Sequence, residues 1–206
     1  MINTMRAMTR AGLFLLVLIA PGLAQNWVGT GSAPAATSPS YDMSAGYTSL
    51  NMPIPSAGHL NLNGVDLSGR IGLSPRWGAM VDSAYARAAN VFGSPYDASV
   101  WSSYVGPEFY PLEHGKTRTF IHALAGVSRV AGAVPKADGG YVHGWAARFS
   151  YGFGGGVERH LSGPVSVCLN GDYLRTAFYD NTDAVRPQNN LRVTTGFVFH
   201  LRHHLP

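Results

Sequence analysis

The chain has 206 residues, of which 46% are apolar, 11% aromatic and only 13% charged, with 25 glycines. That is roughly half the charge usual in a soluble domain. The formal charge of +4 comes from 15 Lys and Arg against 11 Asp and Glu. Arg6 and Arg10 lie in the first ten residues, so the remainder carries 13 bases against 11 acids, a charge of +2 without a basic run, which excludes nucleic acid as a natural partner.

The first segment reads as a signal peptide over residues 1–24. A basic start, "MINTMRAMTR", precedes the ten-residue apolar run "AGLFLLVLIA", and small residues follow at Gly22 and Ala24. Residues 25–40, "QNWVGTGSAPAATSPS", have no period and read as a flexible lead-in. Beyond residue 24 there is no run of roughly 18 apolar residues, the least a spanning helix needs. Cys168 is the only cysteine, so no internal disulfide holds the chain.

From Tyr41 onward the dominant signal is period-two alternation, which predicts strands with two unlike faces. Tyr41, Met43, Ala45 and Tyr47 oppose Asp42, Ser44, Gly46 and Thr48. Val65, Leu67, Ile71 and Leu73 oppose Asp66, Ser68, Arg70 and Gly72. Trp77, Ala79, Val81 and Tyr85 oppose Gly78, Met80, Asp82 and Ala84. Trp101, Val105 and Phe109 oppose Ser102, Tyr104, Gly106 and Glu108. Ile121, Ala123, Ala125 and Val127 oppose His122, Gly126 and Ser128. Trp145, Phe149, Tyr151, Phe153 and Val157 oppose Arg148, Ser150, Gly152, Gly154, Gly156 and Glu158. Val165, Val167, Leu169 and Tyr173 oppose Ser166, Cys168, Asn170 and Asp172. The last strand, Leu191 to Leu201, sets Phe197, Phe199 and Leu201 against Arg192, Thr194, Gly196, Val198 and His200.

Eight such strands alternate short and long connections. "SPR", "LEHGK" and "HLSGP" are short, whereas "LNMPIPSAGHLN", "AANVFGSPYDA", "AGAVPKADGGYVH" and "YDNTDAVRPQN" are longer. A sandwich has no reason to sort its loops this way, and a transmembrane barrel does. The fold class is therefore all-β: an eight-stranded antiparallel up-and-down transmembrane β-barrel over residues 41–201, followed by a tail at 202–206. One face is apolar, with rings near strand ends suited to headgroups. The other face carries Asp66, Arg70, Asp82, Glu108, Arg148, Glu158, Asp172 and Arg192, expected to pair inside a polar, mostly closed lumen.

Several stretches resemble a known family. "GPEF" at 106–109, "FIHALAG" at 120–126, "FGGGVERHLSGPVSV" at 153–167, "GDYLRTAF" at 171–178 and "QNNLRVTTGFVFHL" at 188–201 look like outer-membrane β-barrel domain proteins of acidobacterial-type genomes. These are relatives of the small OmpA/opacity-type barrels. The resemblance spans about residues 40–201 and implies the fold, an outer-membrane location and lipid as surroundings, without a settled activity. It also implies that Thr194, Gly196, Phe199 and Leu201 form the signal read by the barrel assembly machinery. "RHHLP" follows that signal, where the family usually ends.

Chemistry is sparse by comparison. Eight histidines invite a metal reading. The adjacent His203 and His204 would point opposite ways on a strand, and no metal or cofactor is expected. A Ser–His–acid hydrolase needs convergence on one wall, and the His-x-Ser pair of barrel lipid hydrolases is absent at His122-Ala123-Leu124. No catalytic residue is assigned. The expected role is structural or surface interaction through four external loops, whose ligand the sequence does not name. A small water- or ion-conducting pore and an envelope lipid-modifying enzyme are the alternatives.

Overall fold

The computed structural model describes residues 40–54, 58–135, 139–179 and 185–201. The signal peptide, the tail at 202–206 and all of the lead-in except Ser40 lie outside them. The strands are β1 (Ser40–Ile54), β2 (Gly58–Gly72), β3 (Trp77–Ala88), β4 (Ala98–Phe109), the two-residue β5 (Glu113–His114), β6 (Thr117–Pro135), β7 (Tyr141–Ser162), β8 (Val165–Tyr179) and β9 (Val185–Leu201). All neighbours pair antiparallel. β4 pairs with β6, and β9 returns to β1, so the eight long strands close on themselves with no free edge. No helix among the described residues is long and apolar enough to cross a membrane.

Closure depends on a period of two being kept all the way round, because a slip of one residue would exchange the two faces. The register keeps it. At the seam, Ala45 faces Phe197, Gly46 faces Gly196 and Tyr47 faces Thr195. The outer wall then displays Tyr47, Val65, Val81, Trp101, Val127, Phe149, Leu169 and Phe197, each 44–66% exposed. Large apolar side chains turned outward around a whole circumference have only lipid to meet.

Two expectations need correction. The segments at 50–61, 131–143 and 179–189, expected as loops, are largely strand. β1 and β2 stay in register up to Ile54 opposite Gly58, and β6 pairs with β7 up to Pro135 opposite Tyr141. β8 and β9 stay paired as far as Tyr179 opposite Val185. The prolines and glycines in these stretches suggest loops, but Leu50, Met52, Ile54, Leu60 and Leu62 continue the inward phase and are buried. Among the described residues, the connection after β3 is long and irregular, with a 3-10 turn at Val91–Gly93.

The second correction concerns the lumen, whose charged network lies mostly on the side of the short turns, while the loop side is largely apolar, with Thr176, Gln188 and Asn190 buried among the apolar side chains. On the loop side it is filled by Leu50, Met52, Leu62, Val100, Leu174 and Phe178, packed into one apolar cluster. Burying these side chains stabilises the fold as in a soluble core, at about 1.5–3 kcal/mol for each.

Candidate functional site

The interior is layered. At the turn-side mouth three carboxylates meet three basic groups. Arg70 on β2 holds Glu158 of β7 through Nη1 at 3.1 Å and lies 3.6 Å from Glu108 of β4. Arg118 on β6 reaches Glu158 at 3.0 Å and Asp42 of β1 at 3.4 Å. His200 on β9 sits between Asp42, 2.8 Å from Nδ1, and Glu158, 3.1 Å from Nε2. Rings cover the guanidinium groups: Arg70 stacks over Phe120 at 4.6 Å and Arg118 over Tyr110 at 4.4 Å. Tyr110 donates its hydroxyl hydrogen to Glu108 at 2.7 Å.

The next layer is built on one guanidinium. Arg192 of β9 donates to Asp172 of β8 from Nε at 2.7 Å and to Asp82 of β3 from Nη1 at 2.7 Å, with Asp66 of β2 at 3.5 Å. His122 of β6 touches the second oxygen of Asp172 at 2.7 Å. This contact explains a glycine. A Cβ on Gly154 would stand 2.7 Å from His122 Nε2 and closer still to the Asp172 carboxylate. Gly154 is thus the space that the pair occupies.

Above the ions comes a hydroxyl layer. Tyr104 and Ser128 are 2.7 Å apart, Ser128 and Ser150 2.8 Å, and Thr48 and Thr194 3.1 Å. The apolar plug lies beyond it. Among the described residues, small spaces of about 10 Å³ lie within the hydroxyl and apolar layers and beside Asp66 and Asp82. Each holds one water at most. The larger space, about 240 Å³, is a vestibule open at the turn side and lined by Lys116, Arg118, Glu158, His160, Ser166 and His200.

Of the charges singled out in the sequence, Asp66, Asp82, Asp172 and Arg192 meet in the middle layer, and Arg70, Glu108 and Glu158 at the mouth. Arg148 faces inward on the phase of Ala146 and Ser150, opposite Ser128, on the loop side of both layers. Arg118 is not among those charges, since the alternation read from the sequence starts at Ile121 and His122. Counting back by two from His122 finds it. Thr194 is buried and faces the lumen, Gly196 lies on the seam, and Phe199 and Leu201 are exposed on the outer wall.

One arrangement bears on catalysis. Ser166 Oγ is 2.7 Å from His200 Nε2, and His200 Nδ1 is 2.8 Å from Asp42, the connectivity of a nucleophile, base and orienting acid. The second carboxylate defeats it. With Glu158 3.1 Å from the same Nε2, both ring nitrogens face carboxylate oxygens, which only the doubly protonated ring satisfies. Such a ring has no lone pair with which to take the serine proton. Ser166 is, moreover, fully buried. The His-x-Ser spacing missing at His122 does occur at His160-Leu161-Ser162. Among the described residues, His160 makes no side-chain hydrogen bond to Ser162 or to an acid. A fluorophosphonate probe is therefore expected to leave the folded protein unlabelled, and mass-spectrometric detection of an adduct on Ser166 or Ser162 would contradict this.

No metal-competent group of three or more His, Cys, Asp or Glu occurs among the described residues. No protein-family model and no curated protein matches the chain. Solved structures do. Neisserial surface protein A superposes with a TM-score of 0.61 at 12% identity, over 77% of this chain and 96% of that one. The fold is that of the small eight-stranded outer-membrane β-barrels. Ail, the attachment invasion locus protein of Yersinia pestis, matches with a TM-score of 0.54 at 16% identity, over 78% of this chain and 98% of its own. Ail bound to the heparin analogue sucrose octasulfate matches with a TM-score of 0.53 at 17% identity. At these identities backbone closure and strand number are shared.

Proposed function

We propose that this barrel is an integral outer-membrane protein with a closed lumen, acting structurally or through contacts made at its loop end. The observation that carries this reading is the combination of a lipid-type outer wall with an interior whose described side chains stack two ion-paired layers and an apolar plug in series. A path from the vestibule would have to cross the Arg70 and Arg192 layers and then the apolar plug. An ion crossing the plug would exchange most of its water for apolar side chains, with only Thr176, Gln188 and Asn190 to offer it polar atoms. In this reading residues 1–24 direct export, both termini are periplasmic, and Thr194, Gly196, Phe199 and Leu201 are presented to the assembly machinery before β9 meets β1.

The loop end offers a partner the described ends of the long strands and the connection after β3. It includes the Tyr96–Tyr141 ring pair, 5.4 Å between centroids, and the amides Asn51 and Asn61, 2.6 Å apart. Aromatic and amide side chains favour polar surface ligands over an apolar guest. Ail, the attachment invasion locus protein with the same fold, has been captured in complex with the heparin analogue sucrose octasulfate.

Fractionation with a heat-modifiability gel tests the location. A mobility shift on heating, in the outer-membrane fraction, is the expected result, and a soluble product would overturn the proposal. In planar bilayers the purified protein is expected to give no discrete conductance steps. Stable unitary steps would favour the pore instead.

A further inference from the structure

The distribution of charge on the outer wall is one-sided in sign. All acids of the eight long strands, Asp42, Asp66, Asp82, Glu108, Glu158 and Asp172, are buried in the lumen. The charged side chains that project outward from those strands in phase with the apolar wall are all arginines. Arg87, Arg129 and Arg175 stand toward the loop end, and Arg159 stands near the turn end of β7. A charge on a lipid-facing wall is costly at mid-membrane and is tolerated only at headgroup level.

Strand geometry gives the level. Arg87, Arg129 and Arg175 lie ten to twelve residues beyond the turn-side starts of β3, β6 and β8. At about 3.4 Å per residue and a tilt of about 45°, that is roughly 24–29 Å above the turn-side rim, close to one hydrocarbon thickness. Arg129 carries the marks of an interfacial site. Its guanidinium lies 5.0 Å from the centroid of Trp145, and Trp101 is its direct cross-strand neighbour. Arg175 is flanked by Tyr151 across the β7 pair and makes no hydrogen bond or ion pair among the described residues. Arg87 is already paired with Asp97 in the following loop, so it contributes less. At the same level the wall of β1 and β2 carries Asn51, Asn61 and Asn63, which are neutral.

We propose that the sector from β6 to β8 binds anionic, phosphate-bearing lipid headgroups of the loop-side leaflet, through Arg129 and Arg175. The two arginines are about 17 Å apart, from two strand spacings and a four-residue offset along β7, so they engage separate phosphates. The ring of Trp145 holds the Arg129 guanidinium at the border and leaves its donors to the phosphate. This inference rests on the membrane reading of the barrel and adds the lipid class and the sector.

The test uses the full barrel reconstituted in phosphatidylcholine vesicles with and without added lipid A. Lipid A retained after detergent extraction is measured by native mass spectrometry, for the wild type and for Arg129→Gln with Arg175→Gln. Retention is expected to fall roughly five-fold per arginine removed. Arg159→Gln, at the opposite rim, is expected to leave it unchanged. Equal retention by the wild type and the double variant would overturn the proposal, as would an equal loss in Arg159→Gln. Heat-modifiability of each variant is read in parallel. Loss of that shift in the wild type would instead sink the membrane reading on which the inference stands.

Discussion

Replacing Gly196 by valine is expected to abolish barrel closure. Gly196 faces Gly46 across the β1–β9 seam, the last pairing to form in a chain that winds strand by strand. A Cβ on Gly196 would lie 2.6 Å from the Gly46 Cα and closer still to the Ala45 carbonyl oxygen, and both are backbone atoms that cannot rotate away. Cβ on Gly46 would meet Thr195 O at 2.5 Å, so the two glycines share one close approach. Overpacking against side chains costs about 1–3 kcal/mol, and against the backbone of β1, which cannot rotate away, it exceeds that range. Refolded into detergent from urea, Gly196→Val is expected to show no heat-modifiable band and Gly196→Ala a reduced one. Gly171→Ala, where an added Cβ meets nothing within 4 Å, serves as control and is expected to fold normally. Normal folding of Gly196→Val would refute this account. Refolding without the assembly machinery also separates the seam from the sorting signal. A residue needed only as a signal would be neutral in detergent.

Arg192→Met is expected to be the most destabilising single change in the lumen. It leaves Asp66, Asp82 and Asp172 buried around the space of their shared cation. Removing one partner of a buried ion pair costs about 3–5 kcal/mol, most of it the desolvation of the charge left behind. Three carboxylates around one guanidinium put this case at the upper end. The readout is the denaturant midpoint of the detergent-folded barrel. The same balance predicts a rescue: adding Asp82→Asn and Asp66→Asn to Arg192→Met should recover part of the loss, because amides cost far less to bury than unpaired carboxylates. Additive losses in the triple variant would show that the network is not held by charge compensation.

Much of this was legible in the primary structure because the signal is local. Period-two alternation from Tyr41 to Leu201 assigns each side chain to a face, and every strand kept the assigned phase, from Met43 outward and Asp42 inward to Phe199 outward and His200 inward. Loop length was less legible. Pro53 and Pro55 look like breakers, yet Pro53 sits at a strand position opposite His59 while Leu50, Met52 and Ile54 carry the inward phase through. Alternation there sets apolar Met52 and Ile54 inward beside Asn51 and Pro53 outward, the reverse of the lower wall. The turn-rich composition therefore outweighed the pattern.

The β architecture, the lipid-type wall and the inward direction of the acids can all be read along the chain, since each follows from residue type at alternate positions. Which charges meet is set by the closed barrel. Arg192 joins Asp82 and Asp66 across 110 and 126 residues of chain, and Arg70 joins Glu158 across 88. Such pairings depend on the stagger accumulated around the barrel, which no single strand encodes. The same stagger sets His200 between two carboxylates rather than one, making an ion pair of what would otherwise be a base. It also brings Gly196 against Gly46, where the sequence shows a glycine and only the closed wall shows the reason for it.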